Sequence, residues 1–248
     1  MLLYNREIIN QEKEVGMTTQ LDSLRQEVNV KLQGEGKTLL FSTLFGSHKF
    51  GLNSANSDLD LFAVYTRPKM NYVLWGDAYA AGNHVKLENG EVQLMDVKRW
   101  FELAERSNFT VLASLYDFTL HNGAELPMVG LNHFDYKRVV HHLLGLVHNP
   151  KQRTYMSVYS WMLAEYLVEH KFFPVTLDAF TLLDKCNNLS EEVRDLMMQT
   201  FLNKKNGVKS TDVDYSLCTL THDYVNTLED RGHSDVRRAW TLYWSNSL

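Results

Sequence analysis

The chain has 248 residues, of which 44% are hydrophobic and 22% are charged, and a net charge of −5. This composition buries an ordinary core and excludes collagen-like, low-complexity and disordered proteins, while the acidic balance excludes proteins that package nucleic acid. Two cysteines far apart in sequence, no export signal and no apolar run near the roughly 20 residues of a membrane helix predict a cytoplasmic protein without membrane association.

The first part of the chain predicts a helix, a turn and two strands around a loop. Leucine and valine recur at helical spacing to about Gln33, and the turn at Gly34-Glu35-Gly36 follows. Residues 38–45 form a short apolar run, which is typical of a buried strand. Residues 59–65 form a second such run, so a polar loop is expected to join two strands.

A hairpin and two helices are predicted next. The dipeptide Asn89-Gly90 favours a type I′ turn and separates the β-prone runs 85–87 and 92–95. Apolar residues then recur at helical spacing from Val97, and Asn108 is suited to cap a further helix.

Strand signals fade beyond about residue 130. Helical patterns occupy residues 155–166, a stretch opened by Ser190, and a stretch that starts at Asp212. We therefore predict an α+β protein, with an α/β-type N-terminal domain over residues 1–130 and an all-helical C-terminal domain over residues 131–248.

Two carboxylates separated by one residue begin the second predicted strand. Asp58 and Asp60 share one face because side chains alternate along a strand, and two like charges so close need a cation. Hard carboxylate oxygens suit Mg²⁺. At the end of the first strand, Gly46 and Ser47 can offer backbone N–H groups and a hydroxyl to a phosphate. The sequence therefore predicts a site where metal and phosphate meet.

Asp96 is the candidate for a third carboxylate, which would complete a two-metal site. It ends the second hairpin strand, where a polar group can emerge from an apolar sheet. The alternative is that Asp96 caps the helix beginning at Val97. Spacing alone leaves both interpretations open.

The segment from Gly46 to Asp60 reads Gly-Ser-x-x-x-Gly-Leu-Asn-x-x-x-Ser-Asp-x-Asp. It resembles the signature of the DNA polymerase beta-like nucleotidyltransferase superfamily. More narrowly, it resembles the predicted nucleotidyltransferases of the RNA-repair-pathway polymerase-beta family of bacteria and phages, over about residues 39–117. The resemblance implies a mixed β-sheet packed on helices, a helical C-terminal region, and a third carboxylate at the position of Asp96.

The resemblance also implies an activity: transfer of a nucleoside monophosphate from an NTP to a hydroxyl, with release of pyrophosphate and with two Mg²⁺ or Mn²⁺ ions as cofactors. Asp58 and Asp60 are then expected to bind both metals. Asp96 binds the catalytic metal and accepts the proton of the attacking hydroxyl, while Gly46 and Ser47 hold the β- and γ-phosphates. The implied acceptor is an RNA end, such as that of a tRNA, in the cytoplasm of the bacterium or of the phage's host.

One departure from the family concerns a basic residue in the first helix of the C-terminal region, where this chain has Ser160. Lys151 or Arg153 is the candidate to hold the nucleotide instead. Lys49, in the loop after the first strand, is a further candidate phosphate ligand, with simple exposure as its alternative. Residues 135–171 are the most basic stretch, and a solvated face is the alternative to nucleic-acid binding there.

Two rival functions stay open. Related small nucleotidyltransferases modify protein or small-molecule hydroxyls, so the acceptor need not be RNA. A protein of this fold can also bind nucleotides or a partner without catalysis. The adjacent charges of Asp58 and Asp60 disfavour that second rival, because they repel each other unless a cation binds.

Overall fold

The computed structural model describes residues 2–75, 83–124, 129–208, 213–229 and 235–246. The strands are β1 Thr38–Phe45, β2 Asp60–Thr66, β3 Asn83–Leu87, β4 Gly90–Asp96 and β5 Phe118–Leu120. The helices are α1 Leu2–Gly34, α2 Gly46–Lys49, α3 Lys69–Trp75, α4 Val97–Glu105, α5 Phe109–Ala113, α6 Tyr136–Val147, α7 Thr154–His170, α8 Ala179–Lys185, α9 Glu191–Lys205, α10 His222–Thr227 and α11 Val236–Asn246. Short 3₁₀ turns occur at Leu131–His133 and Tyr215–Leu217.

The strands form one mixed sheet in the order β3-β4-β2-β1-β5. β2 and β4 run parallel, whereas β3 pairs with β4, and β5 with β1, in antiparallel fashion. A mixed sheet with helices and a helical C-terminal region confirms the predicted α+β fold. The hairpin turn at Asn89-Gly90 is also confirmed.

The chain divides into two compact units. The first comprises Met1–Leu44, Asp58–Arg99 and Phe118–Glu125, and the second comprises Phe45–Ser57, Trp100–Asp117 and Leu126–Leu248. These units interleave along the chain, whereas the predicted domains are consecutive. The predicted boundary at residue 130 stays a prediction.

In the first unit, α1 packs against one face of the sheet. Its apolar stripe of Leu24, Val28 and Leu32 is buried in a cluster with alternate residues of two strands: Leu59, Leu61, Ala63 and Tyr65 around β2, and Val92 and Leu94 of β4. Because strand side chains alternate, Asp60 and Glu91 lie on the opposite face.

In the second unit, α7 is buried along most of its length and forms the core of the helical region. Tyr159 of this helix contacts Phe50, with ring centroids 4.5 Å apart, and Phe50 also stacks on Phe109 of α5. Phe50, the residue that follows α2, is thus held by helices far away in sequence.

The prediction of one continuous helix from Asp212 is wrong for the described residues 213–229, and Asp212 itself lies outside the described residues. This stretch contains the 3₁₀ turn and the short helix α10 instead. Thr221 is the reason, since its side chain accepts a hydrogen bond from the Tyr224 N–H and begins a new helix there.

Cys186 is buried, Cys218 is half-buried, and both are free thiols. Burial raises the pKa of the Cys186 thiol to about 12. In the described part of the chain, no helix has both the length and the apolar character needed to cross a membrane.

Candidate functional site

The loop that carries the Gly-Ser motif, residues 46–57, begins with a tight helical turn directly after β1. Gly46 has a φ of +60°, which glycine adopts without strain. The Leu52 N–H donates to the Ser47 carbonyl at 2.9 Å and closes the turn. The Ser47 side chain is buried. The turn therefore holds the backbone of the motif in a fixed conformation, while the Ser47 hydroxyl is buried.

Gly51 fixes the middle of this loop against the start of α8. Its φ is +67°, and a Cβ added there would lie 2.0 Å from Asp178 Oδ2. Asp178 caps α8 by accepting from the Thr181 N–H at 2.8 Å. The Ala179 N–H in turn donates to the Phe50 carbonyl at 3.0 Å. A glycine is therefore required at position 51 for packing as well as for backbone conformation.

Ser57 closes the far end of the loop. Its Oγ accepts from the Ser54 N–H at 2.9 Å, and His48 Nε2 lies 3.4 Å from its carbonyl oxygen. Lys204, at the end of α9, places its Nζ 3.5 Å from Ser57 Oγ. Sequence reasoning missed Lys204, because 147 residues separate the two and a lysine in the last turn of a helix is explained by the helix dipole alone.

The first unit holds the paired carboxylates. Asp58 is exposed just before β2, and Asp60 is half-buried as its first residue. Leu59 between them is buried in the core beneath α1. The two aspartates therefore flank a core residue at the beginning of the strand.

Glu91 is the carboxylate that the sheet aligns with Asp60. The parallel register of β2 and β4 pairs Asp60 with Glu91, and in-register neighbours share a face of the sheet. The Glu91 side chain is 51% exposed, with Oε1 3.6 Å from His84 Nδ1. The alternation with the apolar residues Val92 and Leu94 was the sequence signal that the Glu91 side chain lies on the other face of the sheet. The register of the strands was needed to identify Asp60 as its neighbour.

Asp96 does not lie beside the paired aspartates. The same register pairs it with Tyr65, five residue pairs beyond Asp60, or about 16 Å along the strands. Tyr65 belongs to the core beneath α1, so this pair also lies on the other face of the sheet. The structure thus separates Asp96 from Asp60 in two ways, by distance along the strands and by face.

The contacts of Asp96 are those of a buried helix cap. Oδ1 accepts from the Lys98 N–H at 2.9 Å, which caps α4. Oδ2 accepts from the Tyr72 hydroxyl at 3.0 Å and lies 3.1 Å from Arg67 Nε. Burial raises the pKa of Asp96, while the Lys98 N–H and the Arg67 charge oppose that rise. Of the two interpretations of Asp96, the structure supports the cap.

The predicted basic ligands have different environments. The Lys49 side chain is 3% exposed, its Nζ donates to the Tyr116 carbonyl and lies 3.7 Å from Asp117 Oδ2, and burial lowers its pKa to about 8. Lys49 therefore anchors α2 to the loop before β5 and is not presented to a ligand. Lys151 and Arg153 are exposed.

Ser160, where the resemblance implies a basic residue, offers no hydroxyl to a nucleotide. Ser160 is completely buried, and its Oγ donates to the Met156 carbonyl at 2.8 Å. Tyr155, on the first turn of α7, instead lies with its hydroxyl 3.5 Å from Arg153 Nη1. The exposed cations therefore gather at the N-terminal end of α7.

The acidic residues that the structure describes in the first unit have the type of donor atom that Mg²⁺ prefers, but they do not form a metal site by themselves. Among the described residues, no group of three or more His, Cys, Asp and Glu side chains is arranged to hold a metal ion. Asp58, Asp60 and Glu91 nevertheless supply the hard oxygen ligands that Mg²⁺ prefers. Mg²⁺ usually takes only one or two protein carboxylates and completes its shell with water and phosphate oxygens.

Comparison with known proteins gave one family match. Residues 14–167 match the sequence model described as RlaP, RNA repair pathway DNA polymerase beta family. This match spans more than half of the chain and includes the motif loop, the sheet and most of α7. No curated protein matches the chain.

Proposed function

Because the chain belongs to the RNA repair pathway DNA polymerase beta family, we propose that it is a metal-dependent nucleotidyltransferase. It transfers a nucleoside monophosphate from an NTP to a hydroxyl and releases pyrophosphate. The observation that carries the proposal is the in-register pair of Asp60 and Glu91 at the start of two parallel strands, with Asp58 two residues before Asp60. Two carboxylates in register on one face of a sheet repel each other, and a bound cation would relieve that repulsion.

Asp58, Asp60 and Glu91 are the proposed metal ligands, for two Mg²⁺ or Mn²⁺ ions. When bound, such ions activate an attacking hydroxyl and stabilise the charge that develops on the leaving pyrophosphate. Glu91 replaces Asp96 as the third carboxylate in this proposal, because the register aligns Glu91 with Asp60. Its half-exposed carboxylate is also the proposed acceptor of the hydroxyl proton.

Gly46 and Ser47 are the proposed ligands of the β- and γ-phosphates. The preorganised turn supports binding through backbone N–H groups, which approach an anion closely next to a glycine. The Ser47 hydroxyl contributes less than the sequence suggested, because the side chain is buried. Lys151 and Arg153 stay in the proposal as exposed cations for the nucleotide, whereas Lys49 is left out of it.

An RNA end, such as that of a tRNA, is the proposed acceptor. The family description names an RNA repair pathway, which supports this choice over a protein or small-molecule hydroxyl. The net charge of −5 predicts that RNA is held by a local basic surface and not by the protein as a whole. A reducing cytoplasm is the proposed compartment, in keeping with two free cysteines.

The test is an incubation of the protein with each α-labelled NTP, Mg²⁺ or Mn²⁺, and separate fractions of cellular RNA and protein. We expect label in RNA, together with pyrophosphate release that stops when the metal is chelated. Label confined to protein would move the acceptor to a protein hydroxyl. Nucleotide binding without incorporation into any fraction would contradict the proposed activity.

A further inference from the structure

Lys204 is a cation placed at the end of the motif loop by a helix distant in sequence. Its Nζ lies 3.5 Å from Ser57 Oγ and 5.3 Å from the centroid of the Tyr155 ring. Within the described ranges, no carboxylate forms an ion pair with this half-buried ammonium. One long hydrogen bond and a ring contact leave donors of the ammonium available for an anion.

A second cation lies at the same tyrosine. Arg153 Nη1 is 3.5 Å from the Tyr155 hydroxyl, while Lys204 lies over the ring of that residue. Lys205, the next residue of α9, places its Nζ 5.1 Å from the centroid of Phe180 instead. Adjacent lysines of one helix thus have different neighbours, and only Lys204 is directed to the motif loop.

The surroundings of Ser57 indicate what kind of ligand the Lys204 ammonium binds. Asp58 follows Ser57 directly, so their Cα atoms are about 3.8 Å apart. Ser57 Oγ is also 3.1 Å from Ser54 Oγ, which gives the loop two hydroxyls beside the ammonium. An ammonium beside two hydroxyls is suited to bind phosphate oxygens.

We propose that Lys204, assisted by Arg153, binds the terminal phosphates of the NTP. This inference rests on the proposed nucleotidyltransferase function. It predicts that the removal of Lys204 weakens binding of the triphosphate and leaves binding of the monophosphate unchanged, because the ammonium contacts the terminal phosphates and not the α-phosphate, the base or the sugar.

Calorimetry with a nonhydrolysable NTP analogue and Mg²⁺, in the absence of any acceptor, tests the inference. Lys204→Ala is expected to weaken binding of the triphosphate by about 10- to 100-fold, which is the effect of losing a charge-assisted contact. The matched control Lys205→Ala, on the same helix and with the same change of charge, is expected to bind like the wild type. Lys204→Arg is expected to restore most of the affinity.

Binding of a nucleoside monophosphate is measured as well, because a purely structural role of Lys204 would not change the preference for the triphosphate over the monophosphate. Lys204→Ala is expected to bind it as the wild type does, while the preference for the triphosphate is lost. If Lys204→Ala folds poorly, as its thermal midpoint will show, Lys204→Gln keeps the aliphatic stem over Tyr155 and removes only the charge. Equal triphosphate affinity in Lys204→Gln and Lys205→Ala would overturn the inference.

Two further outcomes separate this inference from the proposed function. If the wild type binds no analogue, the proposed function fails and this inference fails with it. If the wild type binds the analogue and the Lys204 variants bind it equally well, only this inference fails.

The phosphates of RNA are the other possible ligand of Lys204, and binding of a short single-stranded RNA, measured by fluorescence anisotropy, tests them. Loss of RNA binding with unchanged analogue binding in Lys204→Ala would assign the cation to RNA and overturn the inference.

Discussion

Asp60 and Glu91 are paired in register at the start of two parallel strands, on the sheet face opposite α1. This pairing changes the carboxylate set that the sequence predicts. Asp96 ends the same strand that Glu91 nearly begins, and its oxygens are engaged by Tyr72, Lys98 and Arg67. Of the two acidic residues of β4, Glu91 is therefore assigned to the proposed chemistry, whereas Asp96 stabilises the fold.

Asp60→Asn is expected to abolish nucleotide transfer and to leave the fold intact. Without Mg²⁺ the substitution removes one of the two like charges that the register of β2 and β4 places side by side, so the thermal midpoint is expected to stay the same or rise slightly. Thermal unfolding in the presence of a chelator, beside the transfer assay, measures both effects. A clear drop of the midpoint would indicate a structural carboxylate and count against the metal site.

Asp96→Ala is expected to destabilise the protein by about 3 kcal/mol, because it leaves the Arg67 charge and the Tyr72 hydroxyl buried without their acceptor and removes the cap of α4. Asp96→Asn keeps an oxygen for the Lys98 N–H, so its loss is expected to be smaller. Urea unfolding at neutral pH compares the two variants with the wild type. Equal stability of all three proteins would contradict the buried-cap interpretation.

Gly51→Ala is expected to destabilise the protein by more than a positive φ alone explains. Gly207 has a φ of +71° with nothing within 4 Å of an added Cβ, so Gly207→Ala measures the conformational penalty, about 1 kcal/mol. At Gly51 the same methyl group also overlaps Asp178 Oδ2. The difference between the two free energies of unfolding isolates this overlap, and no difference would mean that the loop does not pack on Asp178.

Stability is expected to fall as the pH drops below about 6.5, partly because of His142. Its Nδ1 accepts the Phe109 N–H at 3.1 Å, and burial lowers its pKa from the ordinary value of 6.5. The unfolded chain therefore binds the proton more readily, so the stabilisation is complete above 6.5 and is lost as the pH falls through the lowered value. Urea unfolding between pH 5 and pH 8 is expected to show a shallower decline in His142→Asn than in the wild type. Equal declines of the free energy of unfolding in the variant and the wild type would exclude His142 as a source of the pH dependence.

Local signals were sufficient to predict most strands. The Asn89-Gly90 turn identified the hairpin, and the apolar run of residues 38–45 coincides with β1. Asn108 caps α5 as its residue type suggests, by accepting from the Thr110 N–H at 2.9 Å. The three-residue strand β5 was missed, because its few residues give no periodicity and its pairing with β1 is not encoded locally.

The composition of the site depends on nonlocal geometry that a sequence does not display. Spacing made Asp96 as good a metal ligand as a helix cap, and the parallel register of β2 and β4 was needed to prefer Glu91. Lys49 lies inside the motif, yet its ammonium is buried against the Tyr116 carbonyl. Lys204 lies far outside the motif and reaches Ser57 only through the packing of α9 on α7.

The transfer rates of Glu91→Gln and Asp96→Asn, measured with labelled NTP at saturating Mg²⁺ and at a temperature where both variants are folded, test the carboxylate assignment most directly. Glu88→Gln is the matched control, since Glu88 is exposed in the adjacent turn and plays no part in the proposed site. We expect Glu91→Gln to lose transfer, and Asp96→Asn and Glu88→Gln to retain it. A folded but inactive Asp96→Asn protein, beside a fully active Glu91→Gln protein, would contradict the account.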